Sequence, residues 1–218
     1  MPVRAARLLV LGAALAALTS LAACSGGSPA PAAPPPATTI AGLHPQLMSE
    51  ARVSFCDLVP TSALTAVLRG TPSSGQTWSN GQAPPMIGGA ADVTHEFGCS
   101  WTRGRYAARA WVFARPLTAT FAHTVIAAAR QRPGCATATS GSTSGSTSTA
   151  ASAGFGSPTM KQTCALTGGR VRVRDAGLFG DTWITCEVSG PRRDTGAVAP
   201  ARRADAWCAA IATALDTA

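Results

Sequence analysis

After an apolar run at residues 8–18 and a Pro- and Ala-rich stretch, the chain shows short bursts of two hydrophobic periods. Leu64, Val67 and Leu68 recur at helical spacing and predict a helix over 63–69. Thr61 or Ser62 is placed to cap its start and Gly70 to end it. Residues 71–93 have no period and are rich in Gly, Pro, Ser and Asn, which predicts a long loop. Its apolar residues Trp78, Met86 and Ile87 either touch a ligand or, as the plainer reading has it, tuck onto the core.

Residues 96–102 (EFGCSWT) and 106–115 read as two strands joined by a turn at Arg103-Gly104-Arg105, with Pro116 ending the second. Phe121, Val125 and Ala128 share one face of a helix expected over 118–132, and Pro133-Gly134 stops it. Residues 136–158 are a Ser, Thr, Gly and Ala tract, expected to be an irregular or disordered loop. Within 169–176 (GRVRVRDA), Val171 and Val173 alternate with Arg170, Arg172 and Arg174. This is the pattern of a half-buried strand with a basic outer face. Residues 182–188 form a further strand with Ile184, Cys186 and Val188 on one side. A final helix over 201–215 puts Cys208, Ile211 and Leu215 on one stripe. The order is helix, strand, strand, helix, strand, strand, helix. The expected solution is α+β: an antiparallel sheet with helices packed on one face.

The N-terminus changes the picture. Arg4 and Arg7 precede the apolar run, which is the layout of a secretory signal. A membrane span needs about 20 apolar residues, and residues 3–23 reach that length only by including Arg4, Arg7, Thr19 and Ser20. The apolar segment ends in Leu21-Ala22-Ala23-Cys24, which resembles the lipobox of bacterial lipoproteins. The resemblance implies that Cys24 carries a diacylglyceryl group and that cleavage before Cys24 removes residues 1–23. Two or three acyl chains anchor durably where one would be marginal. The stretch SGGSPAPAAPPPATT then reads as an extended tether that cannot bury enough apolar surface to fold. The organisation expected is a signal peptide at 1–23, a lipid-anchored tether at 24–45 and a single extracytoplasmic domain at 46–218.

The net charge of +8 falls to +6 without Arg4 and Arg7, and Lys161 is the only lysine. In an exported protein this balance argues against nucleic acid. Besides the membrane reached through the anchor, it leaves anionic lipid or cell-wall polymer as candidate partners of the arginine face, beside the rival of a solvated surface. Seven cysteines, less Cys24, leave an even set of Cys56, Cys99, Cys135, Cys164, Cys186 and Cys208. An even count in an oxidising compartment points to three disulfides. Zinc would need tightly spaced pairs, which are missing. Sequence leaves the connectivity open. The first-choice pairing is Cys56–Cys99, Cys135–Cys164 and Cys186–Cys208.

The stretches FCDLVPTSALTAVLRG and CSW, with Trp207-Cys208 in the terminal helix, resemble a family of actinobacterial lipoproteins built on a domain of unknown function. Its members share a cysteine before the first helix and a C-x-W strand. The resemblance spans residues 50–215 and implies an exported, disulfide-bonded α+β domain without a known catalytic residue.

Chemistry is sparse. His44, His95 and His123 lack metal-ligand spacing. The nearest approach to a Gly-x-Ser-x-Gly elbow, at 141–145, has Thr143 at its centre. Asp92, His95 and Glu96 are close in sequence only. Oxidised cysteines are not nucleophiles, and phosphate-loop and dinucleotide fingerprints are missing. No metal, cofactor or catalytic residue is expected. The function expected is a non-enzymatic envelope module that binds a ligand or protein; an envelope hydrolase is the alternative.

Overall fold

The computed structural model describes residues 39–45, 47–48, 50–82, 95–139, 154–193 and 199–217. All of them belong to the compact unit Pro36–Ala218. Cys24, Met86, Ile87, Asp92 and most of the Ser/Thr tract lie outside the described residues.

The domain is α+β. Seven strands form one antiparallel sheet: β1 Ser74–Trp78, β2 Glu96–Arg103, β3 Tyr106–Phe113, β4 Cys135–Thr139, β5 Thr159–Leu166, β6 Arg170–Phe179 and β7 Thr182–Pro191. Their order is β1-β2-β3-β7-β6-β5-β4. A three-stranded meander and a four-stranded meander therefore meet at the β3–β7 seam. Three α-helices are described: α1 Thr61–Leu68, α2 Ala119–Arg130 and α3 Pro200–Asp216.

The larger core lies on one face of the sheet. Val171 and Val173 of β6, Ile184, Cys186 and Val188 of β7, and Ala108, Ala110 and Val112 of β3 point into it. Leu64, Val67 and Leu68 of α1 and Trp207, Cys208, Ile211 and Leu215 of α3 cover them. Trp101 of the C-x-W strand meets Trp207 edge to face, with ring centroids 5.6 Å apart. The indole N–H of Trp207 donates to the Arg109 carbonyl at 2.9 Å, so this buried aromatic has its polar atom satisfied. Ile40 and Leu43, read as the end of the tether, are buried in the same core.

All three expected disulfides form. Cys56–Cys99 ties the turn before α1 to β2, and Cys186–Cys208 ties β7 to α3. Cys135 and Cys164 are register partners on β4 and β5.

The structure departs from the sequence reading in three places. Helix α2 does not share a face with α1 and α3. Its Ala122 and Ile126 join Met160, Ala176, Leu178 and Trp183 in a second, smaller core on the opposite face. The cause is the alternation along β6 and β7, where the residues between the main-core positions are also apolar toward one end. Second, β1, β4 and β5 form where the sequence pattern predicts no strand, and β4 extends into the tract expected to be irregular. Third, α1 starts at Thr61 behind Pro60 and ends with Arg69, at φ 61°, in the left-handed position expected of Gly70.

Candidate functional site

Strand β7 sits between β3 and β6, and its residues on the second face are Trp183, Thr185 and Glu187. Glu187 is the register partner of Arg109 on β3 and of Arg174 on β6. It is buried, and it draws in both neighbours. Arg174 donates Nε and Nη2 to Glu187 Oε2 at 3.1 and 2.8 Å. Arg109 Nη1 lies 3.7 Å from Oε1, and Arg172 Nε lies 3.6 Å from Oε2. One carboxylate thus serves three guanidiniums.

The arginine stripe accordingly has the alternation expected of it without the solvation. Arg172 and Arg174 keep only 21% and 14% of their side-chain exposure. The row of like charges is tolerated because Glu187 neutralises part of it and because Arg174 stacks on Trp111, 5.2 Å from the ring centroid. The neutralisation is incomplete. Burial, ahead of the opposing pull of Glu187, holds the Arg109 guanidinium below its usual pKa, and Arg172, Arg174 and Arg170 depress it further.

Next to this cluster is a cleft of about 290 Å³. Helix α2 packs on β4, β5 and β6, and the cleft is lined by Val125, Ala128 and Ala129 of this helix, Trp111 and Phe113 of β3, and Trp183 and Thr185 of β7. Glu96, Arg132, Met160 and Arg174 complete the lining. Thr118 positions α2 by accepting the Phe121 amide proton at 3.2 Å as an N-cap. Gln162 of β5 fixes its far end by donating to the Ala129 carbonyl at 2.7 Å.

The electrostatics of the cleft are unbalanced. Burial raises the Glu96 carboxyl to about 7, against the opposing attraction of Arg174. Arg132 is depressed by burial first, then by repulsion from Arg174 and Arg172, with Glu187 acting against this. An apolar, aromatic-lined concavity with a few convergent polar groups and perturbed titrations has the makings of a ligand site.

Sequence reasoning reached Arg174, weighed Glu96 only beside Asp92 and His95 and set it aside, and missed Glu187, Arg109, Arg132, Trp111 and Trp183 as site residues. A signal existed in β7: placing Ile184, Cys186 and Val188 on one side leaves Trp183, Thr185 and Glu187 on the other. Of the remaining candidates, His44, His95 and His123 are exposed. Trp78 is buried, as the core reading expected. Among the described residues there is no cluster of three or more His, Cys, Asp or Glu suited to a metal, and no helix long and apolar enough to cross a membrane. The chain matches no protein-family model and no curated protein sequence.

Proposed function

We propose that this chain is a membrane-anchored cell-envelope lipoprotein whose domain is a non-enzymatic binding module, with the cleft beside α2 as its ligand site. The cleft carries the binding reading: it joins Trp111, Trp183 and Phe113 to the charged groups Arg132, Arg174 and Glu96. The basic n-region, the apolar run and the LAAC sequence support the anchor. The three disulfides accord with an oxidising compartment. The resemblance to actinobacterial lipoproteins points the same way.

The anchor is tested by Cys24→Ala. The variant is expected to remain an unlipidated precursor and leave the detergent phase; fractionation like the wild type would refute the lipobox reading. The cleft is tested by thermal shift. A ligand that binds only the folded state raises Tm with its concentration. Compounds from an envelope extract should raise the Tm of the wild type and leave unchanged that of Val125→Trp, which fills the cleft. Equal shifts in both proteins would put the site elsewhere.

One observation favours the hydrolase alternative: a carboxyl titrating near neutrality, Glu96, suits a general acid or base. That reading requires turnover of an ester or glycoside panel that Glu96→Gln abolishes without loss of fold.

A further inference from the structure

We infer that the α2 cleft takes a small amphipathic oxyanion, a carboxylate or phosphate on a flat apolar body, with the anion recognised by Arg132 and Arg174. This deepens the cleft reading above and rests on it.

The body follows from the walls. Trp111, Phe113, Val125, Met160 and Trp183 line the cleft, and Trp183 and Met160 are almost fully buried. Aromatic faces favour a flat partner. The volume, about 290 Å³, is at the lower end of ligand pockets, which run from about 300 to 1,000 Å³. A small molecule fits; a polymer chain does not.

The head follows from the charges. Among the described residues, the charged side chains in the lining are two guanidiniums and one carboxyl. Arg174 commits Nε and Nη2 to Glu187. Arg132 has no ion pair among the described residues, and Arg174 and Arg172 repel it. Outside the lining, among the described residues, Arg109 Nε and Arg172 Nε are buried donors without a hydrogen-bond acceptor, Arg172 Nε standing 3.6 Å from Glu187 Oε2. Among the described residues, Arg174 acts on Glu96, Glu187 acts on Arg109 and Arg132, and Arg109 and Arg132 are both repelled by Arg172 and Arg174. An incoming oxyanion relieves that repulsion and gives the guanidiniums charge-assisted hydrogen bonds. A cation would meet the same field as repulsion.

Glu96 tunes the site. Arg174 from β6 and Arg132 beyond α2 are the charged groups lining the cleft with it; His95 beside it and His123 on α2 are exposed. Protonated, Glu96 offers an O–H to the oxyanion. Ionised, it repels the anion and competes for Arg174. Affinity should therefore fall as pH rises from 6 to 8.

The test is equilibrium dialysis of 2-naphthoate, 2-naphthyl phosphate and neutral 2-naphthamide against the lipidated chain in nanodiscs, with empty nanodiscs subtracted. At least one anion should bind at least about tenfold more tightly than the amide, the span of one charge-assisted hydrogen bond. The preferred anion distinguishes a carboxylate from a phosphate head. Arg132→Gln, an exposed position chosen because Arg174 also holds Glu187, should weaken the anion by at least about fivefold at an unchanged Tm. Amide binding as tight as the preferred anion would overturn the oxyanion inference and leave the cleft reading standing. Anion binding indifferent to Arg132→Gln would overturn the assignment of the head to this arginine. Binding of none of the three would overturn the inference, while the envelope-extract thermal shift separately decides the cleft.

Discussion

Arg174 and Glu187 face each other across β6 and β7, and two donors of the guanidinium converge on one carboxylate oxygen at 3.1 and 2.8 Å. Glu187 is also the register partner of Arg109, so it is the electrostatic keystone of the second face. Breaking a buried pair leaves uncompensated charge, which is usually worth about 3–5 kcal/mol; partial exposure of the arginines lowers this. Glu187→Gln should destabilise the domain by about 2–4 kcal/mol. Arg170→Ser, at the margin of the cluster, should change stability by less than about 0.5 kcal/mol. Urea unfolding of both variants decides; equal effects would remove Glu187 from that role.

Glu50 predicts a pH dependence. Its carboxylate oxygens are buried without a hydrogen-bond partner, and burial, followed by repulsion from Asp216, raises its pKa from 4.5 to about 8. The folded state therefore holds a proton that the unfolded state releases above pH 4.5. Glu50's contribution is fully present below pH 4.5, declines as pH rises, and is lost above about pH 8. Glu50→Gln should flatten this dependence and stabilise the domain at pH 9, by an amount on the order of 2–4 kcal/mol. Denaturant midpoints across pH 5–9 give the comparison. A wild type whose midpoint rises steadily from pH 5 to 9 would contradict the assignment.

The disulfides should differ in importance. Cys186 and Cys208 are fully buried and join β7 to α3, whereas Cys135 and Cys164 join two adjacent strands at the sheet edge. Their sequence separations of 22 and 29 residues are similar, so loop entropy alone separates them little. The Cys186→Ala/Cys208→Ala double variant should lose about 3–5 kcal/mol, the upper part of the usual range, because buried packing is lost as well. Cys135→Ala/Cys164→Ala should lose about 1–3 kcal/mol. Thermal unfolding of the two double variants would expose an error as a reversed order.

Gly98 holds β1 in place. A Cβ at this position would overlap the Trp78 ring, so Trp78 lies against bare backbone on β2. Gly98→Ala should push the ring off and destabilise the domain by about 1–3 kcal/mol. A shift of tryptophan fluorescence to the red should accompany it. An unshifted spectrum at wild-type stability would mean that the ring is free to move aside.

Period-two alternation made β6, β7 and the main core legible: Val171, Val173, Ile184, Cys186 and Val188 all point where the pattern put them. Facing stripes on β7 and α3 made the Cys186–Cys208 pair legible too. Strand β5 was not readable. Its Lys161 and Gln162 are buried, yet their sequence reads polar. Lys161 is sustained by Asp175 at 3.6 Å and by a hydrogen bond to Asp205, and Gln162 by the Ala129 carbonyl; those partners are set by tertiary structure. Apart from the buried Trp78, edge strands β1 and β4 consist of small and polar residues, where pairing rather than burial makes the strand. The cleft was hidden for a related reason. Glu96, Trp111, Arg132 and Trp183 come from four segments, and only the sheet order brings them together. The arginines were visible, but their counter-charge is a single glutamate one strand away.

Whether a lipid-anchored module holds a small ligand in the α2 cleft is decided by native mass spectrometry of the chain purified from membranes, wild type beside Val125→Trp. Both proteins should give a mature chain beginning at acylated Cys24, with a noncovalent small-molecule mass on the wild type that the cleft-filling variant lacks. The same noncovalent mass increment on both proteins, none on the wild type, or a chain without acyl mass at Cys24, would contradict this.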